Sequence, residues 1–187
     1  MATKPASKTA SRPAVNSAGK TANRSAPRAG LADAVDLHEL PGHHIRRLQQ
    51  IVVSMFLQET EGLGITPIQF AALQTVANSA ASGPAIDQRR LSAAIGLDTS
   101  TVGGVIDRLE ARGLLARQLS PDDRRVRLLA ITGEGAKVLA AVQPAMLRAQ
   151  ERILAPLPRA ERREFMRLLR RLVDGNNDAS RAPSDLS

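Results

Sequence analysis

Cysteine, tryptophan and tyrosine are absent from the 187 residues, and only three phenylalanines occur, Phe56, Phe70 and Phe165. Without cysteine there is no disulfide framework, no thiolate nucleophile and no cysteine redox switch. So few rings argue against a nucleic-acid surface built on base stacking, which needs several exposed aromatics. No apolar run reaches the roughly 18 residues of a membrane-spanning helix. The first thirty residues hold no apolar block of the secretory-signal kind. P-loop, GxSxG and HExxH motifs are missing too. The expectation is a cytoplasmic protein that is not an enzyme, carries no cofactor and has no membrane partner.

Acid is the other local absence. Residues 1–30 hold Lys4, Lys8, Arg12, Lys20, Arg24 and Arg28 and neither Asp nor Glu, so they supply +6 of the net +8 and leave +2 for the rest. This stretch is rich in Ala, Ser, Thr and Pro and lacks Leu, Ile and Phe. It cannot bury enough apolar surface to offset its ordering entropy, so residues 1–34 are read as a disordered basic tail. Such an arm adds non-specific attraction to DNA through counterion release, or is a solubilising extension; transit peptides share its composition. Residues 35–175 form one domain, and 176–187 a flexible tail.

What is present after residue 35 is punctuated periodicity. A helical pattern starts at Asp36, with a fresh start at Pro41. Ile45, Leu48, Val52, Met55 and Phe56 then recur at three- and four-residue spacing, until Gly62 and Gly64 end the run. Thr66-Pro67 caps and opens a second helix, which carries Phe70, Leu73 and Val76. Asp87 caps a third, which runs to Ile95. After the Gly96-Leu97 turn, Asp98 or Thr99 caps a fourth, stopped at Gly113. Leu114–Leu119 and Val126–Ile131 are strand candidates joined by the turn-forming Ser120–Arg125. Thr132-Gly133 opens a long helix that Pro144 is expected to strain or kink. Pro158 begins the last helix, with Phe165, Leu168, Leu169, Leu172 and Val173 on one stripe.

The span from Leu91 to Thr132 reads as a helix-turn-helix followed by a two-stranded wing. On a wheel of about 100° per residue, Val102, Val105, Ile106 and Leu109 share one side of the fourth helix. Ser100, Gly103, Gly104, Asp107, Arg108 and Ala111 share the other. Residues near the start of such a helix reach base edges in the major groove. Ser100 and Thr101 are suited to donate to bases or phosphate, Arg108 to pair with guanine or phosphate, and the helix N-terminus to favour a phosphate. Two adjacent glycines each cost roughly 1 kcal/mol of helix propensity, which suggests close approach of DNA at Gly104, or plain flexibility. At the wing tip, Asp123 is placed to hold Arg125 by a charge-assisted bond for entry into the minor groove, with Arg124 the alternative contact.

The text LSAAIGLDTSTVGGVIDRLEARGLLARQLSPDDRRVRLLAITGEG resembles the MarR family of bacterial transcription regulators. Asp107-Arg108-Leu109-Glu110, Arg112-Gly113-Leu114, Asp123-Arg124-Arg125 and Ile131-Thr132 match that family's helix–wing signature in order and spacing. The resemblance extends from roughly Leu37 to Val173. It implies a mainly α fold with a small β-wing, a winged helix-turn-helix whose N- and C-terminal helices intertwine in a homodimer. It further implies binding to a pseudo-palindromic double-stranded DNA operator, with release by a small-molecule effector. The DNA-binding lobe would span about 66–132 and the dimerisation helices about 36–61 and 133–174. Gly103-Gly104 departs from the family, which often carries bulkier or charged residues there.

His43, His44, Arg46, Arg47 and Gln50 form a cationic patch on the first helix. By resemblance, it is a candidate effector site for an anion such as an aromatic acid or its CoA thioester. The patch also reads as an exposed basic face or as dimer contacts. His38, His43 and His44 make no metal site: adjacent histidines on a helix diverge by about 100°, and no cysteine or well-spaced carboxylate completes a tetrahedral set. The alternative to a ligand-responsive repressor is an architectural DNA binder that answers to no ligand.

Overall fold

The computed structural model describes residues 35–180 and Ala182. The basic segment 1–34 and the end of the C-terminal tail, both expected to be disordered or flexible, lie outside the described residues. Contacts divide the chain after Glu39. The first unit shows one short 3-10 turn, Leu37–Glu39.

The second unit begins with helix α1, Pro41–Glu59, which has proline in its first turn. Helix α2, Pro67–Ser82, opens on a capping box: the Thr66 hydroxyl accepts from the Gln69 amide, and the Gln69 side chain accepts from the Thr66 amide. Two of the orphan donors at a helix start are thereby satisfied at once. Asp87 caps α3, Gln88–Ile95, and Asp98 caps α4, Thr99–Ala111. Helix α4 ends in a Schellman motif. The Leu114 amide donates to Leu109 O and the Gly113 amide to Glu110 O, with Gly113 at φ 68°. That left-handed conformation is one an L side chain rarely adopts.

Strand β1, Leu115–Leu119, pairs antiparallel with β2, Arg127–Ile131, in the register Leu115 opposite Ile131. Asp87 bridges to Leu128 on the far edge of β2, and the Leu129 amide donates to Ile86 O. The wing is therefore anchored to the entry of α3, a link that periodicity does not reveal. Thr132 caps α5, Gly133–Leu154. Helix α5 is 22 residues long and continues past Pro144, where strain or a kink was expected, to Leu154. The carbonyl that Pro144 leaves without its amide partner belongs to Ala140, which is exposed to water. Helix α6, Arg159–Gly175, follows, with a 3-10 turn at Asn177–Ala179.

The core gathers Phe70, Leu73 and Val76 of α2, Leu91 of α3, the apolar side of α4, and Leu114, Leu115 and Leu129 of the wing. Phe56 of α1 and Val142 of α5 close it. Helices α1 and α5 pack along each other. Arg148 Nε and Arg152 Nη1 reach the two oxygens of Glu59 at 2.9 and 2.7 Å, which holds the Glu59 carboxyl below its usual range, Arg152 first and Arg148 second. No side chain of helix α6 is fully buried. Among the described residues no helix is long and apolar enough to cross a membrane.

Candidate nucleic-acid interface

Helix α4 divides as its sequence pattern predicts. Val102, Ile106 and Leu109 are fully buried and Val105 nearly so, while Ser100, Thr101, Asp107 and Arg108 are exposed. Burying four branched side chains, each worth about 1.5–3 kcal/mol, fixes the helix by one side and leaves the other outward.

The outward side is more internally bonded than its sequence suggests. Asp98 accepts the Thr101 amide at 2.9 Å, the Ser100 hydroxyl at 2.5 Å and the Thr101 hydroxyl at 2.6 Å. These bonds, the Ser100 hydroxyl foremost and the Thr101 hydroxyl next, hold its carboxyl far below the usual range. The helix N-terminus, expected to favour a phosphate, thus already has a carboxylate at it. Likewise, the two hydroxyls expected to donate to DNA donate to Asp98.

The glycine pair also has an internal use. A Cβ on Gly103 would lie 3.0 Å from Gln88 Nε2, and that nitrogen donates to Thr99 O at 2.9 Å, tying α3 to the start of α4. A Cβ on Gly104 would lie 3.3 Å from Arg108 Nη2. Arg108 lies back along its own helix, its Nε donating to Gly104 O at 2.9 Å. The small residues make room for Gln88 and for a folded-back Arg108, an internal use that stands beside the close approach of DNA, or the flexibility, expected of them.

Arg117 of β1, which the sequence reading passed over, joins the helix to the wing. Its Nη2 lies 2.5 Å from Asp107 Oδ1, and its Nη1 bonds Glu110. Asp107 is thus a tie between elements as well as a member of the exposed face. Arg112 makes a second tie, donating from Nη1 to Gly64 O at 2.7 Å, before α2.

At the wing tip the amides of Asp122 and Asp123 donate to the Ser120 hydroxyl. Asp123 holds Arg125, but by its backbone: the Arg125 amide donates to Asp123 Oδ1 at 2.9 Å. The expected carboxylate–guanidinium bond is not formed, because the tight turn brings the amide to the carboxylate first. Among the described residues, neither the Arg124 nor the Arg125 guanidinium has a protein partner, and both residues are exposed.

Two members of the α1 patch, His44 and Gln50, line different cavities. His44 lines a largely apolar groove of about 720 Å³ with Ile45 and Leu48 of α1 and Phe165, Leu169 and Leu172 of α6. Gln50 lines a separate, shallow depression with Val53 and Leu57, and accepts from Arg46 Nη1 at 3.4 Å. His43 is half-buried; desolvation, and then Arg46 and Arg47, lower its pKa. Among the described residues no group of three potential ligands is placed to hold a metal ion.

Comparison with known proteins places this geometry. A sequence model of the MarR family matches residues 63–126, from the loop before α2 to the wing tip. The HTH-type transcriptional repressor NicR of Pseudomonas putida is 34% identical over 146 residues, 77% of this chain and 89% of that protein. The PcaV transcriptional regulator of Streptomyces coelicolor, solved with its natural ligand, is 37% identical with a TM-score of 0.69, covering 75% of this chain and 96% of that one. The repressor CouR, bound to a 23-mer DNA duplex, is 29% identical with a TM-score of 0.67, over 73% and 94%. CouR from Rhodococcus jostii RHA1 bound to p-coumaroyl-CoA gives 26% and 0.63 over the same shares. With its helix-turn-helix, its wing and relatives of this identity and coverage, the chain belongs to the MarR family of DNA-binding transcriptional regulators.

Proposed function

We propose that the chain is a homodimeric repressor of the cytoplasm that binds a pseudo-palindromic operator and is released by a small anionic effector. Helix α4 enters the major groove with Ser100, Thr101, Gly104, Asp107 and Arg108 facing the bases. The wing reaches the neighbouring minor groove with Arg124 and Arg125, its turn set by Asp123. The observation that carries the reading is the wing tip: two exposed guanidiniums that have no protein partner among the described residues, next to a helix whose apolar side is wholly committed to the core. A narrow minor groove concentrates negative potential and attracts such side chains.

The DNA-binding lobe, about 66–132, is flanked by dimerisation helices, about 36–61 and 133–174. Dimerisation is supported by α6. Leu168, Leu172 and Val173 are 44%, 57% and 60% exposed on a single stripe, beside a groove too apolar to be left to water. A second copy gives a two-fold interface.

The effector reading is supported by the relatives. PcaV was solved with its natural ligand and CouR with p-coumaroyl-CoA. On this chain, His43, His44, Arg46, Arg47 and Gln50 would receive an aromatic acid or its CoA thioester, in a site that the partner subunit completes.

Footprinting on promoter fragments tests the function. The expected result is protection of a two-fold symmetric site with half-sites about one turn apart. Sequence-indifferent protection would instead indicate an architectural binder. Release from DNA by aromatic acids or CoA thioesters, taken from a thermal-shift screen, tests the effector.

A further inference from the structure

Ser100 and Thr101 are exposed on the face of α4, yet neither has a proton to offer. A hydroxyl carries one proton and two lone pairs. Ser100 Oγ gives its proton to Asp98 Oδ1 at 2.5 Å, and Thr101 Oγ1 gives its proton to Asp98 Oδ2 at 2.6 Å. Each carboxylate oxygen takes one hydroxyl, and Oδ1 also takes the Thr101 amide at 2.9 Å. What the two hydroxyls turn outward is lone pairs. Reversing either one forfeits a charge-assisted bond, which costs at least about tenfold in equilibrium constant. The Asp98 charge also opposes a phosphate at this turn.

We propose that Ser100 and Thr101 read DNA as hydrogen-bond acceptors, so that the first turn of α4 selects the amino edge of adenine or cytosine and rejects guanine or thymine there. The inference rests on α4 being the helix that enters the major groove. In that groove adenine N6 and cytosine N4 present donors, whereas guanine O6 and thymine O4 present acceptors. An outward lone pair meets the first two with a bond and the others with repulsion. The hydroxyls are thus specificity-determining, and Asp98 is a positioning residue that acts through them. An inspection of residue types alone leads to the opposite assignment, hydroxyls as donors.

The experiment is selection of binding sites from a random duplex pool with the full chain. Selection is repeated with Thr101→Val, Ser100→Ala and Asp98→Asn, each checked for native circular dichroism. Asparagine keeps the cap but has one acceptor oxygen and an amide donor, so one hydroxyl proton is released. The position under the turn is identified as the one whose base preference changes in Thr101→Val or Ser100→Ala. The expected result is an adenine or cytosine there. An analogue lacking only the amino group should lower affinity about fivefold, the worth of one hydrogen bond. Asp98→Asn should flatten the preference for amino over keto bases by a similar factor while leaving the positions under the wing unchanged. A guanine or thymine at that position, no loss on removing the amino group, an unaltered preference in Asp98→Asn, or no position that responds to either hydroxyl variant overturns the proposal but leaves the operator reading intact. Failure of the wild-type chain to enrich any site overturns both.

Discussion

Asp98 shows how much one carboxylate can organise. It caps α4 and fixes two hydroxyls, and its carboxyl is held well below the ordinary range. The sign of the pH effect follows from that direction. A group whose folded pKa is depressed contributes its stability in full above the unfolded value, about 3.9 for Asp, and loses it as pH falls toward the folded value. Melting curves of wild type and Asp98→Asn should therefore differ by a constant amount from neutral pH down to about 5, and the difference should shrink progressively as pH falls below about 4. A gap that narrows between pH 8 and 6 would exclude Asp98 as its source. Gly135 acts by what it lacks. A Cβ there would lie 2.1 Å from Leu114 O, a backbone atom that cannot swing aside. The Gly135 amide also donates to the Thr132 hydroxyl, which itself donates to Gly113 O at 2.7 Å. Gly135→Ala is expected to destabilise by about 3 kcal/mol, the upper end for overpacking, in chemical denaturation; a loss under 1 kcal/mol would contradict this packing.

At the scale of elements, polar ties among the described residues hold the wing at three places, in addition to its packing in the core. Its second strand bridges to Asp87 at the entry of α3. The turn after it is knotted to α5 through Thr132. Its first strand is tied to α4 by Arg117, a quarter exposed, between Asp107 and Glu110. This last link joins β1 directly to the exposed side of α4. Arg117→Met keeps the stem and removes the fork, leaving two carboxylates facing each other across the gap. The expected stability loss is about 1 kcal/mol, since exposure and screening limit such pairs. The loss of operator affinity should be larger than the loss of stability, because two contact surfaces would no longer be held in register. Equal affinities in fluorescence anisotropy would show that the wing is positioned without Arg117.

For the whole molecule, the decisive feature is what a single chain leaves uncovered. Helix α6 fully buries no side chain, and Ile45 of α1 is 57% exposed. Placing a charge on this stripe with Leu168→Glu and Leu172→Glu should yield a monomer in sedimentation velocity. Affinity for a two-half-site operator should then fall at least about a hundredfold, the usual scale of lost bivalency. A dimer that survives both changes would move the interface elsewhere.

The sequence by itself determined the elements and their order. The caps at Thr66, Asp87, Asp98 and Thr132, the stop at Gly113 and the two periodicities are local signals, and backbone physics acts locally on them. The exposed set on α4 was legible for the same reason, because a buried side specifies the opposite one. Only the tertiary structure decided how those exposed groups are used. That Asp98 takes the protons of Ser100 and Thr101, that Gln88 and Arg108 fill the space at Gly103 and Gly104, and that Asp123 holds an amide instead of a guanidinium are outcomes of competition among several short-range partners. A residue type states what a group can bond, and only the folded distances settle which partner it reaches first. Arg117 stayed hidden for a related reason. Its partners lie seven and ten residues back across a helix–strand junction, and the turn at Gly113 interrupts the helical period that would otherwise relate them.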